Sequence, residues 1–332
     1  MFSSYAYAPA VGGIETVSAL LTREFIAAGH EIVLVTETPD VGRESVPASR
    51  MVIVRNPKLS QFRERLRWCD VVFQNNITLR HLIPALVARK PLLLVHQTWM
   101  RDTHDAIGWN NRLKRALVSR VKNVAISKAI ARDFNTPAEM IGNPYDDHVF
   151  KLRPEVPRDR DIIFVGRLVS DKGADLLLRA VALLKERKAN LTIVGAGPEE
   201  ESLRARANEL NFDVTFSGKK SGAELATLLN RHQIIAIPSL WPEPFGVVAL
   251  EGIACGCIPV GSEQGGLCEA IGPCGLTFAN GDGEQLANRL QQLLTDSSLR
   301  ETFRRVAPAH LKGSSAATVA HRYLEILQKL AA

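Results

Sequence analysis

The chain has 332 residues, 46% of them hydrophobic and 23% charged. That length favours two domains over one, the composition is that of a globular protein rather than a disordered or fibrous one, and no apolar run approaches the ~18 residues of a membrane-spanning helix. The net charge of +6 is unevenly placed: residues 1–155 hold 21 Lys/Arg against 15 Asp/Glu, and residues 156–332 hold 20 of each.

Taken in chain order, short apolar runs alternate with longer amphipathic segments. In the first half the runs are Glu31–Thr36, Val52–Arg55, Val71–Gln74, Pro91–His96 and Asn123–Ser127, with helical segments such as Thr16–Ala28 and Thr78–Ala88 between them. A stretch rich in Pro and charge, KLRPEVPRDRD over Lys151–Asp161, then interrupts the pattern as linkers do. In the second half the runs are Asp161–Gly166, Asn190–Gly195, Asp213–Ser217, Gln233–Ser239 and Ile258–Gly261. Helices over Asp175–Glu186, Glu199–Leu210, Gly222–Arg231 and Phe245–Cys255 separate them. Strands without polar alternation, separated by helices, predict parallel sheets covered on both faces. The fold class is therefore α/β, two Rossmann-like doubly wound domains over residues 1–154 and 155–332. Such folds bind ligands beyond the carboxyl ends of their strands, here expected in an inter-domain cleft. The last helix, about 316–330, follows a Gly-Ser-Ser break and can cross back to the first domain.

Five cysteines, an odd number, in a large chain whose start lacks the basic and long apolar regions of a signal peptide point to reduced thiols and a cytoplasmic location. Cys255-x-Cys257 with Cys268 and Cys274 matches no standard zinc spacing and reads as small buried residues. No acidic metal motif stands out either, and no cofactor is expected.

The segment PSLWPEPFGVVALEGIACG, residues 238–256, concentrates the chemistry. A strand ends at Pro238-Ser239, and Pro244 suits the first position of the helix that follows, where a missing N–H costs nothing. The free amides of Phe245, Gly246, Val247 and Val248 would then form an anion site, because unpaired N–H groups and the helix dipole favour phosphate. Glu243 at the mouth and Glu251 two turns on can accept hydrogen bonds from sugar or ribose hydroxyls. Arg167 follows the strand Ile162–Val165, and Lys172 lies five residues on. Two cations there can neutralise a diphosphate leaving group, whose charge develops in the transition state. Gly12-Gly13 removes Cβ atoms where a backbone approaches a ligand and opens onto a helix N-terminus. His96 closes the run PLLLV at a strand's carboxyl end; a structural capping role is the alternative to a ligand contact.

Glu243-x7-Glu251, written EPFGVVALE, resembles the paired-Glu signature of glycosyltransferase family 4, retaining enzymes of the GT-B fold. Four further segments agree in order and spacing over essentially the whole chain: VGGIE (11–15), VGRLVSDKG (165–173), GAGPE (195–199) and GGLCEAI (265–271). The resemblance implies a metal-independent hexosyltransferase-like enzyme. It would move a sugar from a nucleotide diphosphate-sugar, a UDP-sugar favoured over a GDP-sugar, to a saccharide or lipid-linked acceptor in cell-surface glycan synthesis such as that of lipopolysaccharide. The first domain would bind the acceptor and the second the donor. It further implies that the glycine loop lies near the donor diphosphate, that His96 touches the donor sugar near its anomeric carbon, and that the turn Gly218-Lys219 packs on the base. The implied catalytic group is His96, Glu243, Arg167 and Lys172. Ser127 and Asn143 also match family positions. Retention would follow from front-face attack through an oxocarbenium-like state, with positioning and charge stabilisation supplied by the protein.

Two basic segments bear on location. NNRLKRALVSRVKNV (110–124) carries Arg112, Lys114, Arg115, Arg120 and Lys122 beside Leu113, Leu117, Val118 and Val121 at helical spacing, and Phe62–Trp68 is a second basic amphipathic patch. Either an anionic membrane surface, on the inner face of the cytoplasmic membrane, or ordinary solvated helices would account for them. Where family members begin with a full apolar strand, only Met1–Tyr7 precedes Ala8-Pro9, so the first central strand reads as clipped, either because the start is misassigned or because the strand is short. Competing readings are a nucleotide-sugar epimerase or hydrolase on the same architecture and a non-catalytic nucleotide-sugar binder. A dinucleotide dehydrogenase is disfavoured because Gly195-x-Gly197 lacks a third glycine, and nucleic-acid binding because no recognition element is present.

Overall fold

The computed structural model describes residues 1–9, 12–39, 50–100, 109–134, 136–184 and 189–332. Val11 of the glycine motif and residues 185–186 of one expected helix lie outside the described residues. The chain divides into two compact units, Met1–Pro144 with Ser315–Ala332, and Tyr145–Ser314. The division falls about ten residues before the expected boundary, because the segment from Tyr145 onward is already tied to the second unit: the Tyr145 amide donates to Ser314 O, and Arg153 N donates to Asn230 Oδ1 at 2.8 Å.

The first unit runs β1 (Phe2–Ser4), α1 (Gly13–Ala27), β2 (Ile32–Thr36), β3 (Met51–Arg55), α2 (Leu59–Trp68), β4 (Val72–Asn75), α3 (Leu79–Val87), β5 (Leu92–His96), α4 (Trp109–Val118), β6 (Lys122–Ala125), α5 (Lys128–Phe134) and β7 (Glu139–Met140). All seven strands are parallel in the order β3-β2-β1-β4-β5-β6-β7. β1 is three residues long and sits between β2 and β4, registering Phe2 against Leu34 and Phe73. Runs such as LLLV in β5 are wholly buried, as expected of strands covered on both faces.

The second unit runs β8 (Arg160–Val165), α6 (Ala174–Ala182), β9 (Leu191–Val194), α7 (Glu200–Leu210), β10 (Val214–Phe216), α8 (Gly222–Arg231), β11 (His232–Ile237), α9 (Val247–Ala254), β12 (Ile258–Ser262), α10 (Leu267–Ile271), β13 (Leu276–Phe278), α11 (Gly283–Thr295) and α12 (Ser297–Lys312). Its six parallel strands take the order β10-β9-β8-β11-β12-β13, the same doubly wound pattern as the first unit, with a switch point between β8 and β11. Ile162, Phe164, Leu177, Leu178, Ile193, Ile234 and Leu290 fill its core.

The last helix, α13 (Ala316–Ala331), belongs to the first unit although it follows the whole of the second. Its Tyr323 is fully buried and meets Phe73 edge-on at 5.1 Å, and Phe73 in turn stacks on Phe2 at 4.7 Å. Large aromatic faces buried together contribute more than their area alone, so this cluster ties the chain's end to β1 and β4.

Candidate active site

The carboxyl edge of the second sheet is where the candidate residues converge. β11 ends at Ile237, and the loop after it is held by its backbone: the amides of Leu240 and Trp241 both donate to Asp171 O, at 2.9 and 3.3 Å. Gly173 allows this approach. It has φ +70°, and a Cβ there would lie 2.0 Å from Pro238 O. A parallel bridge joins Glu243 to Gly265, and Gly266 N donates to Glu243 O at 2.7 Å. Gly265 has φ +88° and a Cβ there would lie 2.3 Å from Glu243 O, so the GGLCEAI turn must be glycine to close on the Glu243 backbone.

The helix does not begin at Pro244, as its sequence suggests, but at Val247, with Gly246 as its N-cap at φ +102°. The bridge to Gly265 keeps Glu243 extended, and the left-handed glycine then turns the chain into the helix. Phe245 points into the core at 6% exposure. The unpaired amides at the mouth are therefore those of the first turn, Val247 and Val248 among them, rather than a run starting at Phe245.

Arg167, two residues beyond β8, is exposed and meets no partner among the described residues. Gly195 and Gly197 let the following loop lie against its neighbours: a Cβ at Gly195 would meet Gly166 O at 1.8 Å, and one at Gly197 would meet Leu168 O at 2.3 Å. Lys172 is different. Its Nζ donates to Glu243 Oε1 at 2.6 Å, and the same oxygen accepts the Ser239 hydroxyl at 2.7 Å. The lysine and glutamate side chains are 26% and 14% exposed, so this is a half-buried pair with one cation and one anion, short and charge-assisted.

Glu251 is half-buried on α9, and burial, with Asp146 nearby, pushes its carboxyl up to about 7. Gly218, at φ +65°, accepts the Gly195 amide at 2.9 Å, and Lys219 beside it is exposed. A cavity of about 510 Å³ adjoins the Lys172 loop, lined by Ser170, Gly173, Leu176, Glu199, Leu240 and Gly281. A second, of about 480 Å³, lies at the amino ends of the first unit's strands against Met1, Phe25 and Trp68, and none of the candidate residues lines either cavity.

In the first unit, Gly12 caps α1 with extended backbone and Gly13 opens onto free space; a Cβ at Gly12 would meet the Glu15 carboxylate at 2.6 Å. His96 stands at the carboxyl end of β5 but is only 1% exposed. Asn123 gives its side-chain N–H groups to the carbonyls of Val118 and Val121, so its Oδ1 must accept from His96 Nε2, 3.0 Å away. Phe134 stacks on the ring at 4.0 Å, and burial holds the imidazole down at about 4. With Nε2 donating to Asn123, the neutral ring's Nδ1 is a buried acceptor with no partner among the described residues. Ser127 and Asn143 are buried as well: Ser127 Oγ accepts from Ile130 N, and Asn143 donates to Gln97 Oε1 at 2.7 Å.

The second unit thus brings Lys172, Glu243 and the Val247 turn together within one sheet edge. Sequence reasoning missed Ser239 and the carbonyl of Asp171. The signal for Ser239 was its i, i+4 spacing before Glu243, which reads as helix spacing in a segment that is not a helix.

Two parallel doubly wound sheets with glycine-rich turns and an anion-ready helix start at a carboxyl edge define the GT-B class. Its solved members agree: the structure matches HepE from Anabaena in complex with UDP and glucose at a TM-score of 0.81, with 19% identity and 99% of each chain covered. It also matches WaaG, a glycosyltransferase involved in lipopolysaccharide biosynthesis, at 0.75 with 16% identity over 98% of this chain and 99% of that one. Residues 149–310 match the family model of the glycosyl transferases group 1. Relatives in sequence include a D-inositol 3-phosphate glycosyltransferase of Corynebacterium jeikeium, 39% identical over 166 residues, which are 46% of this chain and 39% of that protein. An uncharacterised glycosyltransferase of Methanocaldococcus jannaschii is 33% identical over 171 residues, 45% of this chain and 44% of the relative. The chain spans less than half the length of these curated relatives.

Proposed function

We propose that this protein is a retaining glycosyltransferase that moves a sugar from a nucleotide diphosphate-sugar to a saccharide or lipid-linked acceptor. The observation that carries the reading is the Lys172–Glu243 pair just before α9, inside the segment that matches the glycosyl transferases group 1 family model. One half of the pair suits a diphosphate and the other a sugar hydroxyl. Arg167, exposed and without a partner among the described residues, is the second cation for the diphosphate, and the first-turn amides of α9 add N–H donors. In the proposed step, the bond from the anomeric carbon to the diphosphate oxygen breaks and its electrons stay on the phosphate. The acceptor oxygen bonds to the same face, and its proton goes to the departing phosphate. Neutralising that leaving group is the protein's main contribution. Glu251 takes the ribose hydroxyls. UDP is the favoured nucleotide, supported by a similar fold that holds UDP-glucose.

The acceptor belongs to the first unit on this reading, and its basic α4 and α2 would rest on anionic lipid. No described helix is long and apolar enough to cross a membrane. The cell-surface role, lipopolysaccharide included, is proposed on the same footing.

Isothermal titration of the purified chain with UDP, GDP and ADP and their glucose conjugates tests the donor site. Selective binding of one base, followed by sugar transfer with EDTA present, supports the reading. A folded chain that binds none of them sinks it. Sugar released to water whatever acceptor is offered would favour the hydrolase alternative.

A further inference from the structure

Glu243 has two carboxylate oxygens, and the structure treats them differently. Oε1 accepts both the Lys172 ammonium and the Ser239 hydroxyl, at 2.6 and 2.7 Å. Oε2 meets no partner among the described residues. A carboxylate only accepts, so the single proton of Ser239 is committed to Oε1. Ser239 is itself 2% exposed and its backbone is fixed on both sides: Asn280 donates to Ser239 O at 3.1 Å, and the next amide, of Leu240, donates to Asp171 O. Water cannot take the place of a hydroxyl so enclosed.

The two donors on Oε1 differ in what a ligand would do to them. Lys172 sits on a flexible stem with three N–H donors and is 26% exposed, so a diphosphate can draw it away. Ser239 cannot move without its strand end. We propose that Ser239 is a positioning residue for donor recognition: it holds Oε1 of Glu243 when Lys172 turns to the diphosphate, keeping Oε2 presented to a hydroxyl of the donor sugar. Ser239 acts through Glu243 and touches no ligand itself. The arrangement keeps the sugar-binding carboxylate in place independently of the cation that the phosphates recruit.

This inference rests on the proposed donor site, and its test separates the two. UDP and UDP-glucose, or the nucleotide pair that wild type selects, are titrated into wild type, Ser239→Ala, Ser239→Thr and Ser239→Val. The ratio of sugar-nucleotide to bare-nucleotide affinity should fall roughly tenfold or more in Ser239→Ala, the scale set by a hydrogen bond to a charged group. Affinity for the bare nucleotide should stay within about twofold. Ser239→Thr, which keeps the hydroxyl, should restore the ratio, and Ser239→Val, of the same shape without it, should not. The Thr and Val pair carries the comparison if Ser239→Ala fails to fold. A merely structural serine would lower both affinities together, and that outcome, or an unchanged ratio in Ala and Val, overturns the proposal while leaving the donor site standing. A wild type that binds no nucleotide overturns both.

Discussion

The carboxyl edges of the two units are built from the same kind of doubly wound sheet but differ at their centres. In the second unit the edge is charged and half-exposed: Arg167, Lys172 and Glu243 sit on loops that glycine backbones press together. In the first unit the centre of the edge is a neutral, buried network, with the Glu37–Arg80 pair beside it at the end of β2. Asn143 donates to Gln97 Oε1, Gln97 donates to Asn75 Oδ1, Asn75 donates to Ser18 Oγ, and Ser18 lies 2.8 Å from Ser4 Oγ, which donates to Ala6 O. Every donor along that chain points the same way, and it fastens α1, whose first turn carries Gly13, to the strand ends. A charged edge can change partners when a ligand arrives. A buried neutral network, in which Asn143 Oδ1 already has no hydrogen-bond partner among the described residues, cannot without leaving further buried polar groups unpaired.

The sharpest way to break that contrast is to remove its centre. Glu243→Ala should lower kcat/KM for donor turnover roughly 100-fold, the scale expected when a charge-assisted hydrogen bond to the sugar is removed and Lys172 is left unpaired. Steady-state kinetics beside a melting curve checks that the fold persists. The opposite edge should respond in stability instead. Gln97→Ala takes away the side-chain partner of both Asn143 and Asn75 and should cost about 2–3 kcal/mol in urea unfolding, with nucleotide affinity unchanged. A Gln97→Ala variant as stable as wild type would show that the network adds nothing to the fold. Lys172→Ala should weaken binding of a nucleoside diphosphate about tenfold and of the monophosphate far less, with a smaller dependence on salt than wild type. Equal losses for the two would place the lysine away from the terminal phosphate.

The smallest effects are in pH, and the buried carboxyl and the buried imidazoles respond with opposite signs. Glu251 has a folded value of about 7, above its ordinary 4.5, so the fold prefers its protonated form. Its favourable contribution is complete below pH 4.5 and is lost as pH rises through 7. Nucleotide binding through its carboxylate should strengthen over the same rise, and Glu251→Gln should flatten both curves. His81 and His96 of the first unit are held at about 4, below the usual 6.5, because burial disfavours their charged forms. Their contribution is present above pH 6.5 and is lost as pH falls through 4. Their imidazole signals in an NMR titration should stay fixed down to about pH 5; a midpoint near the usual value would mean that the rings are exposed.

Much of this is legible in the order of residues. Apolar runs such as PLLLV and IIFV, free of alternation and separated by amphipathic stretches, specify parallel strands, because a sheet covered on both faces buries them. The glycines before Glu15, around Ala196 and before Leu267 mark the turns, and Glu243 and Glu251 stand out as carboxylates in an apolar segment. What the residue order does not contain is orientation. Pro244 has the character of a helix start, yet the bridge to Gly265 holds Glu243 extended and moves the start to Val247. His96 lies at a strand end as its sequence suggests, but Phe134 and Asn123, far along the chain, close over its ring. Ser239 acquires a role only because Glu243 turns back toward it and Lys172 arrives from another loop. Periodicity and composition act through neighbours in sequence, so the sequence alone determined the longer strands, most helices and the residue types available at each turn, but not the short edge strands β7 and β13. Which charges pair, and which polar groups are sealed from water, depends on distances between loops that only packing of the whole unit decides.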